Sequence, residues 1–197
     1  MTKSPKSRSL TTDFFEALYR ENPDPWQFAT SEYEAQKYAT TLETLPRDRY
    51  RSGFEIGGSI GIMTEQLAQR CDRLLSIDVS TIAQSQAIQR CQHLNNIDFQ
   101  LMSVPDEFPD DVFDLLVLSE VGYYWCWDDL HKAQNLILDR LQPQGHLLLV
   151  HWIVDARVLP LTGDEVHDSF LKLVPDRFKH IHSLTTDKYR LDLLEKI

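Results

Sequence analysis

An alternation of short apolar runs with helical segments restricts this chain to very few architectures. Residues 53–57, 74–78, 97–102, 113–118 and 146–151 are strand-sized and mostly apolar, the last two reading Phe113-Asp-Leu-Leu-Val-Leu118 and His146-Leu-Leu-Leu-Val-His151. Residues 62–70, 81–94 and 128–141, which lie between runs, carry helical patterns. Apolar strands joined through helices make βαβ units, hence an α/β fold with a mostly parallel sheet. The rhythm breaks near the C-terminus, where residues 179–184 and 189–194 are separated only by Thr185-Thr-Asp-Lys188, a connection suited to an antiparallel hairpin. Ahead of the first strand, Phe14, Phe15, Leu18 and Tyr19 stand at helical spacing behind Thr12 and Asp13. Asn22-Pro-Asp-Pro25 breaks that helix, and a second spans residues 32–45 and stops before Pro46.

A length of 197 residues suits one domain with a buried core. We expect residues 1–10 to be a flexible tail and residues 11–197 a single domain, with 11–50 as a helical N-terminal lid. The basic, polar start has no apolar stretch behind it and reads as no secretory signal, and no segment has the length of a membrane span. Cys71, Cys91 and Cys126 show no Cys-x-x-Cys spacing, which fits reduced thiols and a cytoplasmic protein. The net charge of −10, with 20 scattered Lys and Arg, disfavours a nucleic-acid partner and tilts towards a neutral or cationic small molecule.

The turn after the first strand reads Phe54-Glu55-Ile56-Gly57-Gly58-Ser59-Ile60-Gly61. The dinucleotide pattern Gly-x-Gly-x-x-Gly fails from either Gly57 or Gly58, so no pyrophosphate is implied. What stands is Glu55-x-Gly57-x-x-x-Gly61, one glycine making the turn and the other letting the next helix start in close packing. Asp78, 21 residues after Gly57 at the end of the second strand, is placed to accept hydrogen bonds from two ribose hydroxyls, with Val79 beside it. The alternative is that the glycines only shape a turn and Asp78 only caps a helix.

At this point the sequence resembles the nodulation protein S (NodS)-like S-adenosylmethionine (SAM)-dependent methyltransferases, from Phe14 to Leu194. The matching stretches are Asn22-Pro-Asp-Pro-Trp-Gln-Phe-Ala-Thr-Ser-Glu-Tyr-Glu34, Lys37-Tyr38, Glu55-Ile-Gly-Gly-Ser-Ile-Gly61, Asp114-Leu-Leu-Val-Leu-Ser-Glu-Val-Gly-Tyr-Tyr124, Gly145-His-Leu-Leu-Leu-Val-His-Trp152 and Leu161-Thr-Gly-Asp-Glu-Val-His167. The resemblance implies a seven-stranded, Rossmann-like SAM methyltransferase sheet and N-methylation of an amino sugar on an oligosaccharide, as in nodulation-factor synthesis. Two other readings stay open: a SAM methyltransferase of another small molecule, and a catalytically silent SAM-binding protein. Met102-Ser103-Val104-Pro105 departs from the Gly-Asp that many relatives carry there, leaving adenine to the Val104 backbone, the Ser103 hydroxyl or a displaced Asp106.

Ligands of open α/β sheets lie beyond the carboxyl ends of the strands, which gathers Gly57, Asp78, Ser119-Glu120-Val121 and His151-Trp152. Cofactor contacts are expected from Glu55, Gly57, Gly58, Ser59, Gly61, Asp78, Val79, Ser103, Val104, Ser119, Glu120 and Val121, and from Trp26 and Tyr33 on the lid. Glu120 could bind the cofactor's amino-acid part or an incoming amine; the cofactor contact is the preferred reading, over a helix-capping acid. Methyl transfer to an amine needs alignment and loss of a proton. The candidate catalytic residues are His151 and His167, as bases, and Tyr123, whose aromatic cluster with Tyr124, Trp125 and Trp127 could stack on a sugar face or hold a cation, the alternative being core or lid packing. Asp164, Glu165 and His167 lie in what reads as a loop; a solvated cap is the preferred reading there, and no metal is expected.

Overall fold

In the computed structural model, which describes residues 8–154 and 158–197, the chain divides into two compact units. One comprises residues 11–103 and the other residues 104–197 with the segment up to Leu10. Among the described residues there are seven strands, parallel through the fifth and antiparallel in the last two, which is the expected fold class.

The first unit runs α1 (Thr12–Glu21), α2 (Glu32–Glu43), β1 (Tyr50–Ile56), α3 (Ile62–Ala68), β2 (Cys71–Asp78), α4 (Thr81–Arg90) and β3 (Ile97–Leu101). Its strands lie in the order β3-β2-β1, all parallel, with Phe54 opposite Leu75 and Ser76 opposite Phe99. Every residue of β1 except Arg51 is buried, as a strand covered on both faces requires. Short polar side chains start two of the helices: Ser31 accepts the Glu34 amide at 3.3 Å, and Ser80 the Ala83 amide at 3.2 Å.

The second unit contains β4 (Phe113–Ser119), a 3₁₀ turn (Gly122–Tyr124), α5 (Trp127–Arg140), β5 (Leu141–Trp152), α6 (Gly163–Leu171), β6 (Phe178–Thr185) and β7 (Tyr189–Lys196), with strand order β4-β5-β7-β6. Leu115–Leu118 and Leu147–Val150 form its core. β5 begins five residues earlier than the sequence suggests. Its pairing with β4 jumps between Phe113–Leu141 and Leu115–His146, and the interruption takes up Pro143-Gln-Gly145 with Gln144 at φ 61°. The hairpin turn is closed by Thr186, whose hydroxyl accepts the Lys188 and Tyr189 amides.

α6 corrects the reading of residues 163–167 as a loop. Thr162 accepts the Glu165 amide at 3.1 Å while the Glu165 carboxylate accepts the Thr162 amide at 2.8 Å, a reciprocal cap that starts the helix. Gly163 fits because a Cβ there would strike the Trp152 carbonyl oxygen. Ser9 and Leu10, assigned above to the tail, are hydrogen bonded: Ser9 Oγ accepts the Cys126 amide at 2.8 Å and bonds to Asp129, and the Leu10 amide donates to the Tyr124 carbonyl at 2.9 Å. No helix among the described residues is long and apolar enough to cross a membrane.

Candidate active site

The glycine turn is a closed loop of backbone hydrogen bonds. The Gly57 and Gly58 amides both donate to the Ile77 carbonyl at 2.9 Å, and the Gly61 amide donates to the Gly58 carbonyl at 2.9 Å. Gly57 and Gly61 have φ of 84° and 82°, values that only glycine adopts without strain, and a Cβ on Gly61 would lie 2.8 Å from Ala87 Cα on α4. Gly61 is thus the close-packing glycine.

Asp78 is fixed from two sides. Its Oδ2 accepts the Ser59 amide and its Oδ1 the Ser80 amide, each at 2.8 Å. Burial pushes the carboxyl above its ordinary value, and the Ser80, Ser59 and Val79 backbone amides pull it back. Each oxygen that has accepted one amide retains capacity for a second donor, so a ribose diol matches what Asp78 has left. The turn amides just described are already used, which suits an uncharged ribose better than a pyrophosphate. At the end of β3 the Met102 amide donates to the Asp78 carbonyl at 3.1 Å, placing Ser103 next in line. Val104 is buried, and Asp106 is exposed and paired with Lys132 at 2.7 Å.

Glu55 does not project from the turn. Its Oε2 accepts the hydroxyls of Thr64 at 2.6 Å and Ser76 at 2.7 Å beneath Gly58, where burial raises its carboxyl above the ordinary value. This gives Glu55 a supporting place under the loop, with Oε2 engaged by Thr64 and Ser76.

α1 packs on this corner through residues the sequence reading did not select. Tyr19, 3% exposed, hydrogen bonds Ser59 with its hydroxyl, and Glu16 accepts the Ser80 hydroxyl and the Thr81 amide, both at 2.9 Å. Those bonds hold the Glu16 carboxyl below its ordinary value, the Thr81 hydroxyl foremost. Helical spacing alone marks Tyr19 as an apolar-face residue, and nothing in the sequence marks its hydroxyl. Trp26 meets Tyr19 edge-on at 5.7 Å and stacks on Phe28 at 5.4 Å, so it belongs to the same corner. Tyr33 instead faces the Lys37 ammonium at 5.5 Å; Lys37 is buried and paired with Glu34, and Tyr38 is core.

In the second unit the residues after β4 form their own cluster. Glu120 adopts φ 57°, its amide donates to the Val150 carbonyl, and its Oε2 accepts the Tyr123 hydroxyl at 2.6 Å and the Trp152 amide at 2.9 Å. One carboxylate therefore joins the end of β4, the 3₁₀ turn and the end of β5, with Ser119 and Val121 on either side. Tyr123 packs edge-on against Tyr124 at 4.7 Å and His151 at 5.4 Å. Burial, reinforced by Glu120, pushes the Tyr123 phenol well above its ordinary value, so it is a donor at neutral pH. Trp125 is core, and Trp127 begins α5.

Both histidines are fully buried, and both ring nitrogens of each are engaged. His151 Nε2 accepts the Gly122 amide at 3.1 Å, His151 Nδ1 meets His167 Nε2 at 3.1 Å, and His167 Nδ1 meets Asp192 Oδ2 at 2.6 Å. Asp192 also takes His180 Nε2 at 2.7 Å and Arg190 Nε at 2.8 Å. Burial holds His167 below its ordinary value, while His167 and Arg190 hold the Asp192 carboxyl far below its own despite burial. Neither imidazole presents an unengaged nitrogen. Asp164 turns to Arg190 and Glu165 to the helix cap, so these two and His167 are separately occupied.

The nodulation protein S family model matches residues 14–152, which include the glycine turn, Asp78, the Glu120 turn and His151. The chain belongs to the nodulation protein S (NodS) family. It is 32% identical over 143 residues to nodulation protein S of Rhizobium tropici, a match covering 70% of this chain and 60% of the relative. It spans about three fifths of the length of the curated NodS relatives it matches. In fold it is similar to the N-methyltransferase NodS of Bradyrhizobium japonicum WM9 in complex with S-adenosyl-L-homocysteine (TM-score 0.81, 24% identity, 92% of this chain and 97% of that one). It is also similar to a Pseudomonas syringae protein provisionally assigned as a methyltransferase (TM-score 0.72, 34% identity, 84% and 100%).

Proposed function

We propose that this NodS-family protein is a SAM-dependent N-methyltransferase, that residues 11–197 act as one methyltransferase domain, and that its acceptor is an amino group of an amino sugar in an oligosaccharide. The observation that carries the reading is the NodS match over residues 14–152, which includes the double-anchored Asp78 and the turn above it. Asp78 would take the ribose hydroxyls, Ser59 and Trp26 would border them, and Ser103 and Val104 would serve the adenine. The complex of the similar B. japonicum structure with the demethylated cofactor supports the choice of ligand. When bound, the sulfonium would supply a methyl group: the acceptor's ammonium first gives a proton to solvent, the lone pair so freed forms the C–N bond, the C–S pair returns to sulfur, and the methylated amine leaves in its protonated form.

Most of the rate then comes from alignment and exclusion of water. Glu120 supplies a fixed negative charge that attracts the acceptor's ammonium, and the Tyr123 hydroxyl bonded to it sets the direction. The chain's net negative charge and its three cysteines without Cys-x-x-Cys spacing support a cationic small-molecule or oligosaccharide acceptor, without nucleic acid, in the cytoplasm. Calorimetry with SAM and S-adenosylhomocysteine, followed by methyl transfer to a glucosamine tetramer with free amines, tests the proposal. Failure to bind either cofactor form would overturn it; binding with transfer only to other small amines would replace the acceptor and leave the chemistry.

A further inference from the structure

We infer that Asp192, His167 and His151 form a clamp that positions the Gly122–Tyr124 turn, and that His151 and His167 are positioning residues and not the proton acceptor of methyl transfer. The inference rests on the reading above for what the turn does; the clamp itself rests on geometry. Its direction is set at both ends. A backbone amide can only donate, so the Gly122 N–H fixes His151 Nε2 as an acceptor and puts the His151 proton on Nδ1. That proton points at His167 Nε2, which must accept, leaving the His167 proton on Nδ1 to face the Asp192 carboxylate. Every link is satisfied with both rings neutral. A further proton on either ring would set donor against donor at the Gly122 or the inter-histidine link, and the Gly122 amide that occupies His151 Nε2 can only donate. Such a chain holds its members in place and does not carry protons.

What it holds is the acceptor side of the proposed site. Gly122 has no room for a side chain, since a Cβ would come within 2.7 Å of Val166 on α6 and 3.0 Å of His151 Nε2, so the turn sits directly on the clamp. The next residue, Tyr123, donates to Glu120. The groups facing the clamp are the Tyr123 ring at 5.4 Å from His151, Arg190 and His180 on Asp192, and Asp164 and Asp168 through Arg190.

Long-range ¹H–¹⁵N spectra of the wild-type protein at neutral pH test the clamp without any acceptor: both rings should show a protonated Nδ1 and a bare Nε2, and a protonated Nε2 on His151 would overturn it. The role is tested with His151→Gln, which retains an acceptor for the Gly122 amide but cannot act as a base near pH 7, and His151→Leu, which retains neither. His151→Leu should lose about tenfold or more in kcat on the glucosamine tetramer, with binding of S-adenosylhomocysteine within about twofold, a loss on the scale of one buried amide left unpaired. An acceptor ammonium that gives its proton to solvent should make the wild-type rate rise with pH, and His151→Gln should recover most of the loss and keep that rise. If His151→Gln is as slow as His151→Leu and the rise disappears, His151 is the base and the inference is wrong. A wild-type protein that fails to bind S-adenosylhomocysteine would instead sink the proposed function, while the nitrogen spectra would still decide the clamp.

Discussion

Asp78 and Gly61 show how single residues set the candidate cofactor corner. Each Asp78 oxygen accepts one backbone amide, so Asp78→Asn keeps an acceptor for either Ser59 or Ser80 and turns a donor towards the other. We expect the fold to persist and affinity for S-adenosylhomocysteine to fall about tenfold or more by calorimetry, the scale of one charge-assisted hydrogen bond. Gly61→Ala acts on stability instead. A methyl at φ 82° and 2.8 Å from Ala87 Cα meets backbone, which cannot step aside, and a loss of about 1–3 kcal/mol in urea unfolding follows. Gly57, Gly61 and Asp78 are legible in the sequence because spacing reports backbone need. The inward turn of Glu55 is not, because its partners Thr64 and Ser76 come from separate elements.

Among elements, α1 depends on side chains whose partners lie far along the chain. Glu16 ties it to the start of α4, and Tyr19 to Ser59. The folded-state value of Glu16 lies below the ordinary one, so its contribution is complete above the ordinary carboxyl range and is lost as pH falls through that range and below. Glu16→Ala should raise hydrogen exchange of the α1 amides at pH 7, and the difference from wild type should shrink as the pH is lowered towards 4; unchanged exchange would show that Tyr19 alone holds the helix. Helix α6 offers the converse lesson. Thr162-Gly-Asp-Glu165 followed by Val166 and Phe170 is a reciprocal capping pattern ahead of an apolar face, a signal present in the sequence that a reading of the segment as a loop passes over.

Across the whole molecule, acid acts through two opposing effects. The net charge of −10 diminishes on acidification, which relieves self-repulsion and favours the folded chain. His167 opposes this: its folded-state value is depressed below 6.5, so its neutral burial stabilises fully above about pH 6.5 and progressively less as pH falls below it. Asp192, depressed below 3.8, adds a second loss at lower pH. The wild-type urea midpoint should therefore drop more between pH 7.5 and 5 than that of His167→Gln, which keeps polar atoms in place without titrating. Equal drops would mean that His167 is not held neutral in the folded state.

Strand number and type, the hairpin and the glycine turn were determined by the sequence itself, because apolar runs, glycines and a carboxylate 21 residues on report requirements that are local or periodic. Family membership followed from stretches spread over most of the chain. The fate of the histidines was decided only by tertiary structure. Periodicity places His151 at a strand end, but Gly122, His167 and Asp192 come from a turn, a helix and another strand, and only their packing shows that both rings are engaged on both nitrogens. Hydrogen-bond direction between buried groups is a property of the assembled core, and spacing along one chain does not encode it.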